Sequence, residues 1–193
     1  MASTVGICNQ AITLVGGNRI TGLDDGSDEA DSCLDIYDDL RDLVLEGADW
    51  TFATKRYTLL PEAGTPAWGY TYQFTKLAEM IRVINVSESP DNLNGESDLD
   101  WRLEENLILC DEAKIYVKAI KQITDPSRFS AGYVQSFVLL LASYLSIPIA
   151  GSRSLQESFK IQYDNSLPIT HSNDGRQGKS DRIKSTRYTR QVR

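Results

Sequence analysis

Residues 26–61 read GSDEADSCLDIYDDLRDLVLEGADWTFATKRYTLLP, and their hydrophobic period changes partway through. Ala30, Cys33, Leu34, Tyr37, Leu40, Val44 and Leu45 recur at i, i+3, i+4 and i+7. That spacing predicts a helix with one buried stripe. Ser27 suits the N-cap, and Asp28 and Glu29 suit the positive end of the helix dipole. After Trp50 the helical period stops, and Arg56 to Leu60 reads as a strand ahead of Pro61. A helix that gives way to a strand over so short a distance predicts a mixed α and β chain.

On the N-terminal side, Thr4 to Val15 reads as a short helix with Val5, Cys8, Ile12 and Val15 apolar, stopped by Gly16 and Gly17. On the C-terminal side, Met80 to Val86, Trp101 to Leu103, Leu107 to Cys110 and Lys114 to Ile120 read as strands. Pro61 to Pro66 and Ser87 to Asp98, with Pro90 and Asn94-Gly95, read as loops. Asp125-Pro126 is expected to open a helix carrying Phe129, Tyr133, Phe137, Leu140, Leu141 and Tyr144, apolar nearly all round, that Pro148 ends. A last helix, capped by Ser152 or by Ser154 with Glu157 in a capping box, buries Leu155, Phe159 and Tyr163 and should stop at Pro168.

Beyond His171 only Ile183, Tyr188 and Val192 are apolar, too little to offset ordering entropy of about 1–2 kcal/mol per residue. The expected fold is α+β, mainly α: a helical bundle from the N- and C-terminal helices, a small antiparallel β-sheet inserted between them, and an extended C-terminal arm. The corresponding regions are 1–55, 56–124, 125–170 and a basic tail, 171–193.

The chain has 193 residues, is 41% apolar and carries a formal charge of −7, which argues against a general nucleic-acid binder. The mean hides an asymmetry. Between Asp24 and Asp49 eleven acids face one base, Arg41; from Asp174 to Arg193 seven bases face two acids. An acidic body with a basic end points to interaction with something charged. Cys8, Cys33 and Cys110 are odd in number and widely spaced, which argues against a disulfide framework or a cysteine-rich zinc site and suggests a reducing compartment. MASTVGICNQ lacks the basic and apolar regions of a signal peptide. The run from Phe137 to Ala150 falls short of the roughly 20 residues of a bilayer span and reads as a core helix.

Little in the chain resembles an active site. His171 is the single histidine and lies in the polar end, so no Ser-His-Asp or Cys-His set can be assembled around it. Gly16-Gly17 lacks the Lys-Ser/Thr of a phosphate loop and reads as a helix stop. Glu104-Glu105 and Asp111-Glu112 could supply a carboxylate pair for glycoside chemistry, but such residues are common in strands and turns. The aspartates lack the alternating loop of a calcium site. Trp68, Tyr70 and Tyr72 alternate near Phe74 and could stack on a ligand, but the pattern better suits packing on a sheet or against a neighbouring subunit. No enzyme activity, cofactor or metal is expected.

The order of landmarks is more specific than any single residue. Leu14, Gly16, Ile20 and Leu23 form an L-x-G-x(3)-I-x-x-L entry, followed by the Ala30/Cys33 helix and then Trp50, Phe52, Ala53, Lys55, Arg56 and Leu59. GYTYQF at 69–74, IRVINV at 81–86 and DPSRFSAGYVQSFVLLLASYLSIPIAGS at 125–152 follow in sequence. This ordered set resembles the tail tubular protein A family, the head-to-tail adaptors of short-tailed bacteriophages, over roughly Gly6 to Leu167. Pro168, the polar segment after it and the basic end depart from the family pattern.

The resemblance implies a structural virion protein assembled in the host cytoplasm. Copies form a ring, usually of twelve, that joins the portal protein to the tail nozzle (a tail tubular protein B-like partner) beside tail fibre proteins. Genomic DNA passes through without specific binding, and no membrane is involved. On this reading Asp28, Asp31, Asp35, Asp38, Asp39 and Asp42 form a channel- or partner-facing acidic face. Arg176, Lys179, Arg182, Lys184, Arg187, Tyr188, Arg190 and Arg193 form a portal-binding tail. The alternatives are a tail-associated peptidoglycan hydrolase using Glu104 and Glu105, and a DNA-binding protein acting through the tail.

Overall fold

The computed structural model describes residues 2–93 and 99–176. The fold is α+β, and its described residues divide into two compact units, one built from the residues up to Ala53 and from Gln122 to Arg176, the other from Thr54–Lys121.

The first unit is helical: α1 (Thr4–Val15), α2 (Asp28–Glu46), α3 (Ala131–Ala150) and α4 (Arg153–Gly175). Each helix starts at a serine whose side chain accepts a backbone N–H: Ser3, Ser27, Ser130 and Ser152. Gly16 and Gly151 end α1 and α3 in the left-handed region, where a residue without Cβ is favoured. The link from α1 to α2 is held by Asn9, whose amide donates to the Ile20 carbonyl at 2.9 Å and accepts from the Ile20 N–H at 2.8 Å. α3 packs on α1, α2 and α4. By length and composition α3 could cross a membrane, yet 56% of it is buried against its neighbours. Its core face buries Tyr133, Phe137, Leu140, Leu141 and Leu145, with the Phe137 ring against Tyr37 and the Tyr133 ring against Trp50.

The proline and capping expectations need correction. Asp125-Pro126 opens only a single 3-10 turn, Pro126–Arg128; Phe129 is extended, and Ser130 caps α3. The break lets the Phe129 ring pack on Phe52 at 6.0 Å and Tyr133 at 4.7 Å between centroids. Pro148 does not end α3, nor does Pro168 end α4. Each proline costs about 3 kcal/mol inside a helix. Both rings lie on exposed positions, and the turns beyond them are held by further bonds, local after Pro148 and long-range after Pro168. After Pro148, the Ser152 N–H donates to Ser146 and the Gly151 N–H to Ile147. After Pro168, Thr170 meets Ser136 at 3.0 Å, His171 packs on Trp50, and Asp174 accepts the Thr51 N–H. The segment from His171 to Gly175 is therefore helix rather than the start of an extended arm; residues 177–193 lie outside the described residues. Ser152, not Ser154, is the N-cap of α4, so the Ser154–Glu157 capping box does not form.

The second unit holds two three-stranded antiparallel sheets where a single sheet was expected. They are ordered β1 (Thr54–Leu59), β6 (Ile115–Lys121), β3 (Met80–Ser87), and β2 (Tyr72–Thr75), β5 (Leu107–Cys110), β4 (Trp101–Glu104). β2 was not foreseen as a strand; it pairs with β5 from Tyr72↔Cys110 to Thr75↔Leu107. Tyr57, Phe74, Met80, Val86, Ile108, Cys110, Ile115, Val117 and Ala119, drawn from both sheets, form one core cluster. On one edge, Glu79 accepts from Lys55 at 2.9 Å and Lys121 at 2.8 Å. Lys121 first, then Lys55, lowers its pKa to about 2.

Candidate interaction face

The most unusual surface of the helical unit is the outer face of α2. At 100° per residue, Asp28, Asp31, Asp35, Asp38, Asp39 and Asp42 fall in one stripe, opposite the buried Ala30, Cys33, Tyr37, Leu40 and Val44. The first five are exposed and Asp42 is partly covered. All six predicted residues thus share a face.

Arg41, the helix's one base, is buried beneath the stripe. Its guanidinium bonds Asp38, and its Nε donates to Asp42 at 2.8 Å. Burial alone would lower the Arg41 pKa, but Asp42 and Asp38 outweigh it and the pKa is raised. Asp42 also accepts from Gln122. Among the described residues no cation pairs with Asp28, Asp31, Asp35 or Asp39. Like charges at i, i+4 each cost a few tenths of a kcal/mol, so this row of carboxylates destabilises an isolated α2. At the entry to the helix, two further acids are hydrogen-bonded. Asp25 accepts from Ser27 and from the Thr21 N–H, which lowers its pKa to about 2, and Glu29 accepts from Asn18.

Beside the stripe runs an apolar groove of about 310 Å³, lined by Ile36, Asp39, Leu40, Leu43 and Tyr144. Leu43 is 47% and Tyr144 45% exposed. Leu34, expected in the buried stripe, is instead 57% exposed. The flanks of α2 therefore offer apolar contact beside negative charge. Helical spacing marks that Leu43 lies off the buried stripe, but nothing in it marks Tyr144 as the opposite wall of a groove.

The remaining predicted residues are scattered. Arg176 caps the end of α4. Lys179, Arg182, Lys184, Arg187, Tyr188, Arg190 and Arg193 lie outside the described residues. Glu104 ends β4, and Glu105, at φ 52°, starts the two-residue turn into β5; both are exposed. Asp111 accepts from the Thr71 N–H at 2.9 Å and hydroxyl at 2.8 Å, a loop-holding role. His171 is not in a polar tail: its ring lies on Trp50, 6.3 Å between centroids. Phe74 is in the core of the β unit, whereas Trp68 is 80% exposed. All three cysteines are free and buried. Cys8 is pushed up by its hydrogen bond to Cys33 and by burial, and Cys110 by burial, so both stay thiols. Among the described residues no His/Cys/Asp/Glu group could hold a metal ion.

Set against known proteins, the chain matches no protein-family model and no curated protein.

Proposed function

We propose that this chain is a head-to-tail adaptor of a short-tailed bacteriophage. It acts as a structural virion protein whose copies form a ring between the portal protein and the tail nozzle and continue the DNA channel. One observation carries the reading: the ordered landmarks of the resemblance coincide with the joints of the fold. Gly16 is the left-handed cap of α1, and Ile20 is bracketed by Asn9. Trp50, Phe52 and Ala53 lie where the chain leaves the helical unit, and Lys55, Arg56 and Leu59 lie on β1. Gly151 and Ser152 form the hinge between α3 and α4.

The acidic stripe suits such a role. Each phosphate neutralised by a Lys or Arg adds salt-dependent affinity for DNA, which a conduit must avoid. A wall of aspartates repels the duplex and lets it slide. The basic end, by contrast, suits pairing with carboxylates on the portal through charge-assisted hydrogen bonds.

Co-sedimentation with the purified portal ring of the same phage, followed by electron microscopy, tests the proposal. A stoichiometric ring of this protein on the portal is the expected outcome. Absence of association, at low and at moderate salt, overturns it.

A further inference from the structure

We propose that the groove between α2 and α3 receives a short basic amphipathic helix of a partner protein, with its apolar side chains in the slot and its Lys or Arg side chains against Asp35, Asp39 and Glu46. The inference goes beyond the adaptor reading and stands without it.

The slot itself is the first observation. Ile36, Leu40 and Leu43 form its α2 wall, and Tyr144 forms its α3 wall. Ile147, one turn further along α3, is exposed as well. Exposed apolar side chains rimmed by charge mark a site of association. An amphipathic helix fills such a slot with anchors at i, i+3 and i+4 spacing.

A row of carboxylates along one rim is the second. Asp35, Asp39 and Glu46 are four and seven residues apart, so they stand on one line of α2. The row is about 16 Å long, or about three helical turns. None of the three pairs with a cation among the described residues. Arg41, the base nearest to them in sequence, is turned inward onto Asp38 and Asp42. A partner helix with bases at the same spacing complements this rim turn for turn, which fixes its register as well as its sign. Asp31 and Asp38 lie on the far edge of the stripe, so a helix in the groove leaves that edge open.

The nature of the occupant follows from charge. DNA and anionic lipid would bring more negative charge to a negative rim. Among the described residues no group could hold a metal ion. A second copy offers no suitable helix among them either. α1 and α3 carry no charged residue, and α2 is acidic. α4 has Arg153 and Lys160, and Lys160 is paired with Asp164. The complementary surface is therefore a basic helix of another protein.

The test is a selection on the full-length protein. The probe is a library of peptides of about sixteen residues, displayed on one helix of a stable scaffold, whose outward positions vary among apolar, basic, acidic and neutral residues. The expected result is enrichment of Lys or Arg beside Leu, Ile or Phe at i, i+3 or i+4. The enriched helices should bind about tenfold more weakly to Leu43→Ser, which loses an apolar anchor. Asp35→Asn combined with Asp39→Asn should weaken them about fivefold, an effect that about 1 M salt removes. All three substituted side chains are exposed, and circular dichroism checks that the variants keep the fold. No enrichment, enrichment of acidic or uncharged helices, or binders indifferent to both variants would overturn the proposal. So would self-association of the unmodified protein that Leu43→Ser abolishes in sedimentation, since a second copy would then be the occupant.

Discussion

α2 and α3 are of nearly equal length, 19 and 20 residues, and sit in one helical unit, yet opposite forces govern them. α3 is apolar nearly all round, and its buried hydroxyls bond within the unit: Ser143 to the Leu140 carbonyl, Ser146 to the Ala142 carbonyl, Ser136 to Thr170. Nothing about its buried face depends on an outside partner. α2 buries one stripe and leaves the other crowded with aspartates, four of which, Asp28, Asp31, Asp35 and Asp39, pair with no cation among the described residues. Its inner face explains the fold, and its outer face is where a partner is to be sought.

The comparison breaks most directly by removing the ring at the centre of α3. Phe137 is fully buried, with Tyr37 at 5.0 Å and Tyr133 at 5.9 Å between centroids. Phe137→Ala should destabilise the protein by about 3–5 kcal/mol, read as a lower denaturant midpoint at unchanged slope. Next comes the joint that leads into α2. Asn9→Ala strands the buried N–H and C=O of Ile20 and should cost about 2–3 kcal/mol. Rescue to the Asn9 level by Asn9→Leu would show that packing, not hydrogen bonding, was lost.

Smaller effects sharpen the contrast. Ser27→Ala removes the cap bonded to the Ala30 N–H and should cost about 1 kcal/mol. Asp35→Asn should act in the opposite direction. Asp35 stands one turn from Asp31, Asp38 and Asp39, so neutralising it should stabilise the protein by a few tenths of a kcal/mol. Added salt should shrink that gain. A loss of stability would mean that the carboxylate has a partner in solution.

The smallest expected change is in a slope. Asp25 and Glu79 both have pKa values lowered from the ordinary carboxylate range to about 2. A depressed carboxylate contributes stability that is present above pH 4 and lost as pH falls toward 2. Asp25→Asn and Glu79→Gln should each flatten the dependence of the unfolding midpoint on pH in that window and leave it unchanged near pH 7.

The acidic face was legible because charge and helical period both live in local sequence, and the same is true of α1, β3 and β5. The groove was not legible, because Leu43 and Tyr144 are a hundred residues apart and only packing brings them together. Pro168 misled for the same reason: its local penalty is visible, but the bonds that offset it, Thr170 to Ser136 and Asp174 to Thr51, join distant segments. Pro148 is followed only by the local bonds that close the end of α3. β2 was not assigned because the alternation of Tyr70, Tyr72 and Phe74 fits a sheet and a subunit contact equally, and only its pairing with β5 makes it a strand.

By itself, then, the chain determined the order of its four helices and of five of its six strands, the Ser27 cap and its two poles of charge, since each depends on neighbours within a turn or two. Tertiary structure alone decided that the strands divide into two sheets, that Arg41 is buried beneath the aspartates, and that the last helix continues to Gly175. These features depend on burial, and burial is a property of the packed whole.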